Sequence, residues 1–239
     1  MLKLNGSVNI GFCQGILKRP IKIIGADTAA LKIRVIDSRI NPKTNKPNTY
    51  LLHFIVKGDV AEKLINDTRY ENLILVSYHL GAHFKFNNTL GIGRFETQFE
   101  IDDFCYKEPT NDEISYLNRG LYQCQFLGIT PVFNSNNVYT VDTVVNDTNA
   151  QKRLHLSFTV FGSYGEVIEE TYVSGQEITI VYKLERSRDE RDDGGVEFFT
   201  NCILEKIVLH EKIFNCSADY CCFCSNGYRT SYHTRQRKR

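Results

Sequence analysis

The sequence predicts an all-β chain with short helices, built as two tandem five-stranded barrels. Three observations carry this. The segment YLLHFIVK, from Tyr50, alternates with period two: Leu52, Phe54 and Val56 share one face, Leu51, His53, Ile55 and Lys57 the other. A glycine and a short helical pattern, GDVAEKLI, follow it. Then the pattern returns 104 residues later: HLSFTVFGSYGEVI, from His155, matches Phe54, Val56, Gly58 and Glu62 with Phe158, Val160, Gly162 and Glu166. ILVSYHL from Ile74 recurs as ITIVYKL from Ile178 in the same register, and IRVID from Ile33 pairs with VYTVD from Val138 at an offset of 105. A repeat of about 100 residues exceeds a solenoid unit and has the size of a small domain.

Each copy reads as five strands. In the first they lie near Ser7 to Ile24, Ala30 to Arg39, Tyr50 to Lys57, Asn72 to Leu80 and Gly93 to Asp102. The turn-rich NPKTNKPN joins the second to the third, and the helix falls between the third and fourth. In the second copy they lie near Leu121 to Thr130, Val138 to Val144, Arg153 to Phe161, Glu177 to Leu184 and Glu197 to Leu209. ERSRDERDDGG is expected as an exposed, self-neutralising loop between the last two. The division expected is 1–104 for the first barrel, 105–120 for a polar linker, 121–210 for the second barrel, and 211–239 for a Cys-rich, basic, flexible tail.

Five strands with a helix between the third and fourth describe the OB-fold, whose strand-2 and strand-3 face stays open to a ligand. Bulk properties agree with a binding module. With 239 residues and 42% apolar content, two modest cores are possible. A net charge of +1 gives no overall field, so any nucleic-acid surface must be local. The opening MLKLNGSVNI lacks the apolar core of a secretion signal, and no apolar run reaches the roughly 18 residues of a spanning helix. Reduced thiols in the cytoplasm, or in a host nucleus if the source is a eukaryotic virus, are the expectation.

The ordered segments LNGSVNIGFCQGILKRP, HFIVKGDVAEKL and NLILVSYHL resemble the bacterial-type single-stranded DNA-binding proteins over Leu4 to about Phe104. LSFTVFGSYGEVI and GQEITIVYKL carry a weaker likeness in the second copy. The tandem arrangement is similar to family members with two barrels per chain that dimerise. Exposed barrel edges that want pairing point to a homodimer too. The family stacks a base on the aromatic just before the strand-3 glycine; that position is Lys57 here in the first copy and Phe161 in the second. The family's acidic tail is replaced by YRTSYHTRQRKR, of opposite charge, which suggests a phage, plasmid or viral setting.

A sequence-tolerant single-strand binder needs cations along the phosphates and rings beneath the bases. Candidate nucleic-acid residues are Lys32, Arg34, His53 and Lys57 on the outer face of the first copy, Tyr139, His155 and Phe161 on the second, and Phe84 with Phe86 near a loop. Each has a plainer reading. The cations could simply be solvated, Phe161 covered by a partner domain, Tyr139 packed at an edge, and Phe84 and Phe86 packed locally. Lys18 and Arg19 on one turn, and Lys43 and Lys46 on a hairpin tip, are weaker candidates.

NCSADYCCFC crowds four cysteines and leaves His233 alone, which does not match the separated ligand pairs of a zinc site, so neither a metal nor a cofactor is expected. There is no GxSxG elbow, phosphate loop or HExxH helix, and no catalytic residue is expected. The expected function is non-catalytic coating of single-stranded DNA in replication, recombination or repair of a viral or mobile genome, with replication or recombination proteins as further partners and no membrane. The alternatives are an OB-fold adaptor for protein–protein contacts and an RNA binder.

Overall fold

The computed structural model describes residues 8–67, 73–87, 92–107, 117–133, 135–147, 152–190 and 196–209. The expected tail lies outside them, as do the side chains toward the tips of two long hairpins. The elements are β1 (Asn9–Ile23), β2 (Thr28–Asn41), β3 (Lys46–Lys57), α1 (Gly58–Asn66), β4 (Leu73–Asn87), β5 (Ile92–Lys107), β6 (Asn118–Pro131), β7 (Val138–Asp147), β8 (Lys152–Phe161), α2 (Tyr164–Thr171), β9 (Glu177–Glu190) and β10 (Val196–Leu209).

All ten strands join one sheet in the order β2-β3-β5-β4-β1-β6-β7-β8-β10-β9. Added pairings of β2 with β1 and of β6 with β9 close each half on itself. Among the described residues the only parallel contact in each ring joins the third and fifth strands, β3 to β5 and β8 to β10. These are two OB-type barrels. Within the barrels the strands are paired on both sides, whereas Gly81 to Asn87 of β4 and Arg186 to Glu190 of β9 pair on one side only in the described set.

The glycine after the third strand now has its cause. Gly58 and Gly162 take φ of +57° and +72°, a conformation that a Cβ disfavours. Each N–H donates to the residue just ahead of the second strand, to the Asp27 and Asn137 carbonyls, at 2.8 Å in both cases. The turn tucks the helix under the barrel, where α1 buries Ala61 and Leu64 and α2 buries Gly165 and Ile168.

Register shows how the two cores differ. Lys32 lies opposite His53 in the first barrel and Asp142 opposite Ser157 in the second, so the second strands correspond as Lys32 with Asp142. The alignment of IRVID with VYTVD is therefore displaced by several residues. By the corrected register Tyr139 matches Ala29, since they face Val160 and Val56. The Tyr139 ring packs over Gly165, where a Cβ would come within 2.1 Å of it. Ala29 and Ala61 fill the same place in the first barrel. A large-plus-small pair has replaced a medium pair, as close packing requires.

The aromatic centre shows the same exchange. Phe54, Tyr78 and Phe99 meet edge-to-face at centroid distances of 5.4, 6.2 and 6.3 Å. In the second barrel Phe158 lies 5.6 Å from both Tyr122 and Tyr182. Cys13 and Tyr122 hold matching positions on the first strands, opposite Val76 and Ile180, while Phe99 and Cys202 match on the fifth. The third ring comes from β5 in one barrel and from the first strand, β6, in the other, with a cysteine on the vacated side each time. Burial pushes the thiols of Cys13 and Cys202 up, far from the thiolate form.

The barrels meet through antiparallel pairing of β1 with β6, centred on Gly11 facing Gly120. Beside this pair, the Asn9 amide donates to the Leu80 carbonyl at 2.8 Å and accepts the Leu80 N–H at 2.9 Å. Asn118 does the same to Leu184, at 2.7 and 3.0 Å. Two residues of an Asn-x-Gly pattern in each first strand thus anchor the fourth strand and admit a tyrosine ring over the glycine. Asn118 to Gly120, expected in the linker, are strand, because the polar amide is needed at the seam.

Candidate nucleic-acid interface

The outer face of β2 and β3 carries cations. Alternation turns Leu31, Ile33, Leu52 and Phe54 into the core and leaves Lys32 and His53 exposed as direct cross-strand neighbours. Arg34 is half-buried on the same face, opposite Leu51. On the other side of Lys32 stands Lys18 of β1, which lies in strand just before an irregularity in the pairing rather than in a turn. Like charges gathered in this way raise the local potential although the whole chain is almost neutral.

The face does not end at its own barrel. Thr200 of β10 accepts the His53 backbone N–H through Oγ1 at 3.0 Å. Thr200 in turn pairs across the strands with Arg186 of β9. The Arg186 guanidinium lies over the Phe198 ring, 3.4 Å from its centroid, a cation–π contact that holds the charge at the surface. Burial first, then Lys32 and Arg186, holds the His53 imidazole below the usual histidine range, so it is neutral at pH 7. Arg186 sits in the stretch expected to be a self-neutralising loop. That stretch is strand from Glu185 to Glu190, paired with Val196 to Asn201.

The remaining candidates are placed differently. Lys57 binds Glu100 of β5 at 2.6 Å, so its charge is already matched. Phe161, in the equivalent position, is 52% exposed at the end of β8. His155 is exposed on β8 opposite Val144, away from the cations of the first barrel. Tyr139 faces inward over α2 and offers no ring to solvent on that face. Phe84 and Phe86 fall in β4, in strand rather than loop, and their side chains lie outside the described residues.

Among the described residues the ion pairs are Lys57–Glu100, His79–Asp102, Arg119–Glu205 and Lys183–Glu185, and neither Lys32 nor Arg186 takes part in one. No three His, Cys, Asp or Glu side chains of the described set gather as metal ligands would. No described helix is long and apolar enough to cross a membrane.

No protein-family model matches the chain, and no curated protein does. Solved structures do. A deletion variant of the single-stranded DNA binding protein from Thermus aquaticus is similar with a TM-score of 0.61 and 14% identity, covering 89% of this chain and 98% of that one. The wild-type protein from the same organism gives 0.57 and 13%, covering 85% and 93%. At such identity the likeness is one of fold.

Proposed function

We propose that this protein binds single-stranded DNA reversibly and without chemistry, along the outer face of β2 and β3. The observation that carries the reading is the cross-strand pair of Lys32 and His53, with Arg34 beside it, on an open barrel face where Lys32 has no carboxylate partner in the described set. Lysine and arginine side by side suit phosphates, and the neutral imidazole of His53 can stack or donate. Lys57 joins only when its bond to Glu100 opens. Phe161, with His155 on the same strand, offers a ring to a strand long enough to reach the second barrel. The resemblance in LNGSVNIGFCQGILKRP and HFIVKGDVAEKL supports DNA over other polyanions, and a role in replication or recombination, of a viral or mobile genome, belongs to the same reading. The buried free thiols of Cys13, Cys124 and Cys202 suit a reducing compartment, the cytoplasm or a host nucleus.

A homodimer belongs to the same reading, and an exposed face supports it. Ile10 and Phe12 of β1 lie beside Leu121 and Arg119 of β6 across the seam, and Ile10, Phe12, Leu117 and Leu121 all remain exposed. A second copy would cover this apolar patch, and light scattering at micromolar protein should give roughly twice 27.5 kDa.

The deciding experiment is a titration of labelled oligo(dT), oligo(dA) and duplex at two salt concentrations. Binding of both single strands over duplex, weakened by salt, supports the proposal. No binding at low salt overturns it in favour of an adaptor.

A further inference from the structure

The two barrels are related by the seam, so each feature of one has a counterpart in the other. The row already described runs from Lys18 through Lys32, His53 and Thr200 to Arg186. Its counterpart can be read from the registers. Lys32 and His53 correspond to Asp142 and Ser157, which face each other on β7 and β8. Gly128 is paired with Asp142 where Lys18 is paired with Lys32. Thr200 and Arg186 correspond to Thr97 and Ala82, which pair on β5 and β4. The threonine is kept and every positive position is lost. Ser157 Oγ donates to the Asp142 carboxylate at 2.6 Å, which fixes a negative charge where the first row has a lysine.

We infer that the chain holds the phosphate backbone of a single strand on one of its two equivalent tracks only, the composite one made by β1, β2 and β3 of the first barrel and the β9–β10 hairpin of the second, with Arg186 and Phe198 as binding residues. This deepens the reading above and rests on it. The physical ground is the difference in local potential. A phosphate near Lys32 meets positive charge from Arg186 as well, whereas one near Ser157 meets the Asp142 carboxylate. The guanidinium held on Phe198 keeps a flat cation and a ring edge together, which suits a phosphate and its base. Because the track crosses from one barrel to the other, neither barrel alone carries it whole.

The test uses the full chain and short oligo(dT) in a salt series. Lys32→Gln with Arg186→Gln should flatten the slope of log affinity against log salt by about 1.4, two phosphates at about 0.7 each. Asp142→Asn on the other track should leave affinity and slope at the parent's values. Circular dichroism and unfolding midpoints confirm that the variants are folded. If the first variant keeps the parent slope, or if Asp142→Asn steepens the slope by as much as the first variant flattens it, the one-track assignment is wrong. A parent that binds no single strand at all instead refutes the functional reading itself. A gain-of-function arm guards against indirect effects: Asp142→Lys with Ala82→Arg should steepen the slope by a similar amount, and an unchanged slope there shows that the second track is closed for a reason other than charge.

Discussion

Gly11 and Gly120 face each other across the β1–β6 ladder, and each lies under a tyrosine ring of its own barrel, Tyr78 and Tyr182. A Cβ on either glycine would come within 2.2 Å of the ring's Cζ. The rings cannot retreat, because Tyr78 and Tyr182 are fully buried.

Gly120→Ala should therefore destabilise the protein by about 1–3 kcal/mol, the usual cost of overfilling a packed site. Urea unfolding measures it. Gly11→Ala should cost a similar amount, and a parental midpoint for both would mean that the tyrosines are not clamped.

The exchanged aromatic positions make a sharper test. Phe99→Cys leaves a cavity and should cost about 2–4 kcal/mol. Adding Cys13→Tyr rebuilds in the first barrel the arrangement found in the second, and should restore at least half of the loss. Thermal unfolding of the two variants decides; a double variant weaker than the single one would show that the two positions do not share one space.

Phe161 and Lys57 answer one equivalent position in two ways. Phe161→Ala should lower affinity for long oligo(dT) by about 1–3 kcal/mol with little salt dependence, and leave short oligo(dT) unaffected. Glu100→Gln should free Lys57 and steepen the salt slope by about 0.7. Fluorescence titration reads both.

His53 supplies a pH dependence whose sign can be worked out. Its pKa is held below the ordinary value by burial and by the Lys32 and Arg186 charges facing it, so it is neutral in the free protein at pH 7. A phosphate beside it favours the imidazolium, so binding takes up a proton, and affinity should rise as pH falls from about 7 to about 5. Isothermal titration in two buffers of different ionisation heat shows the uptake; His53→Gln should remove it. An affinity independent of pH in the parent would place the strand elsewhere.

Much of this architecture was legible because strands that bury one face must alternate, and both copies keep the Phe-x-Val rhythm before a glycine. The third and fourth strands kept one offset since no insertion separates them. The second strand was misaligned because Thr143, not an aliphatic residue, fills the core position matching Ile33, and its hydroxyl is satisfied by the Leu156 carbonyl at 2.9 Å. Lys32, Arg34 and His53 could be read from alternation alone. Arg186 could not, since its run of mixed charges reads as a loop until the opposing strand, with Phe198 and Thr200, is set beside it. The Asn-x-Gly pattern in both first strands was readable in principle, but its spacing differs from the main repeat.

The seam between the barrels has a consequence for dilution. The β1–β6 ladder comprises five residue pairs, Asn9 with Tyr122 to Cys13 with Asn118, and between separate molecules so short a ladder would part at low concentration. Here both strands belong to one chain, with fewer than a dozen residues between the end of β5 at Lys107 and the start of β6 at Asn118. Each strand therefore meets the other at an effective concentration near the millimolar range whatever the bulk concentration is. The composite track across the seam is assembled in every single molecule. Its affinity for a short oligonucleotide should not depend on how much protein is present, even where two chains have separated.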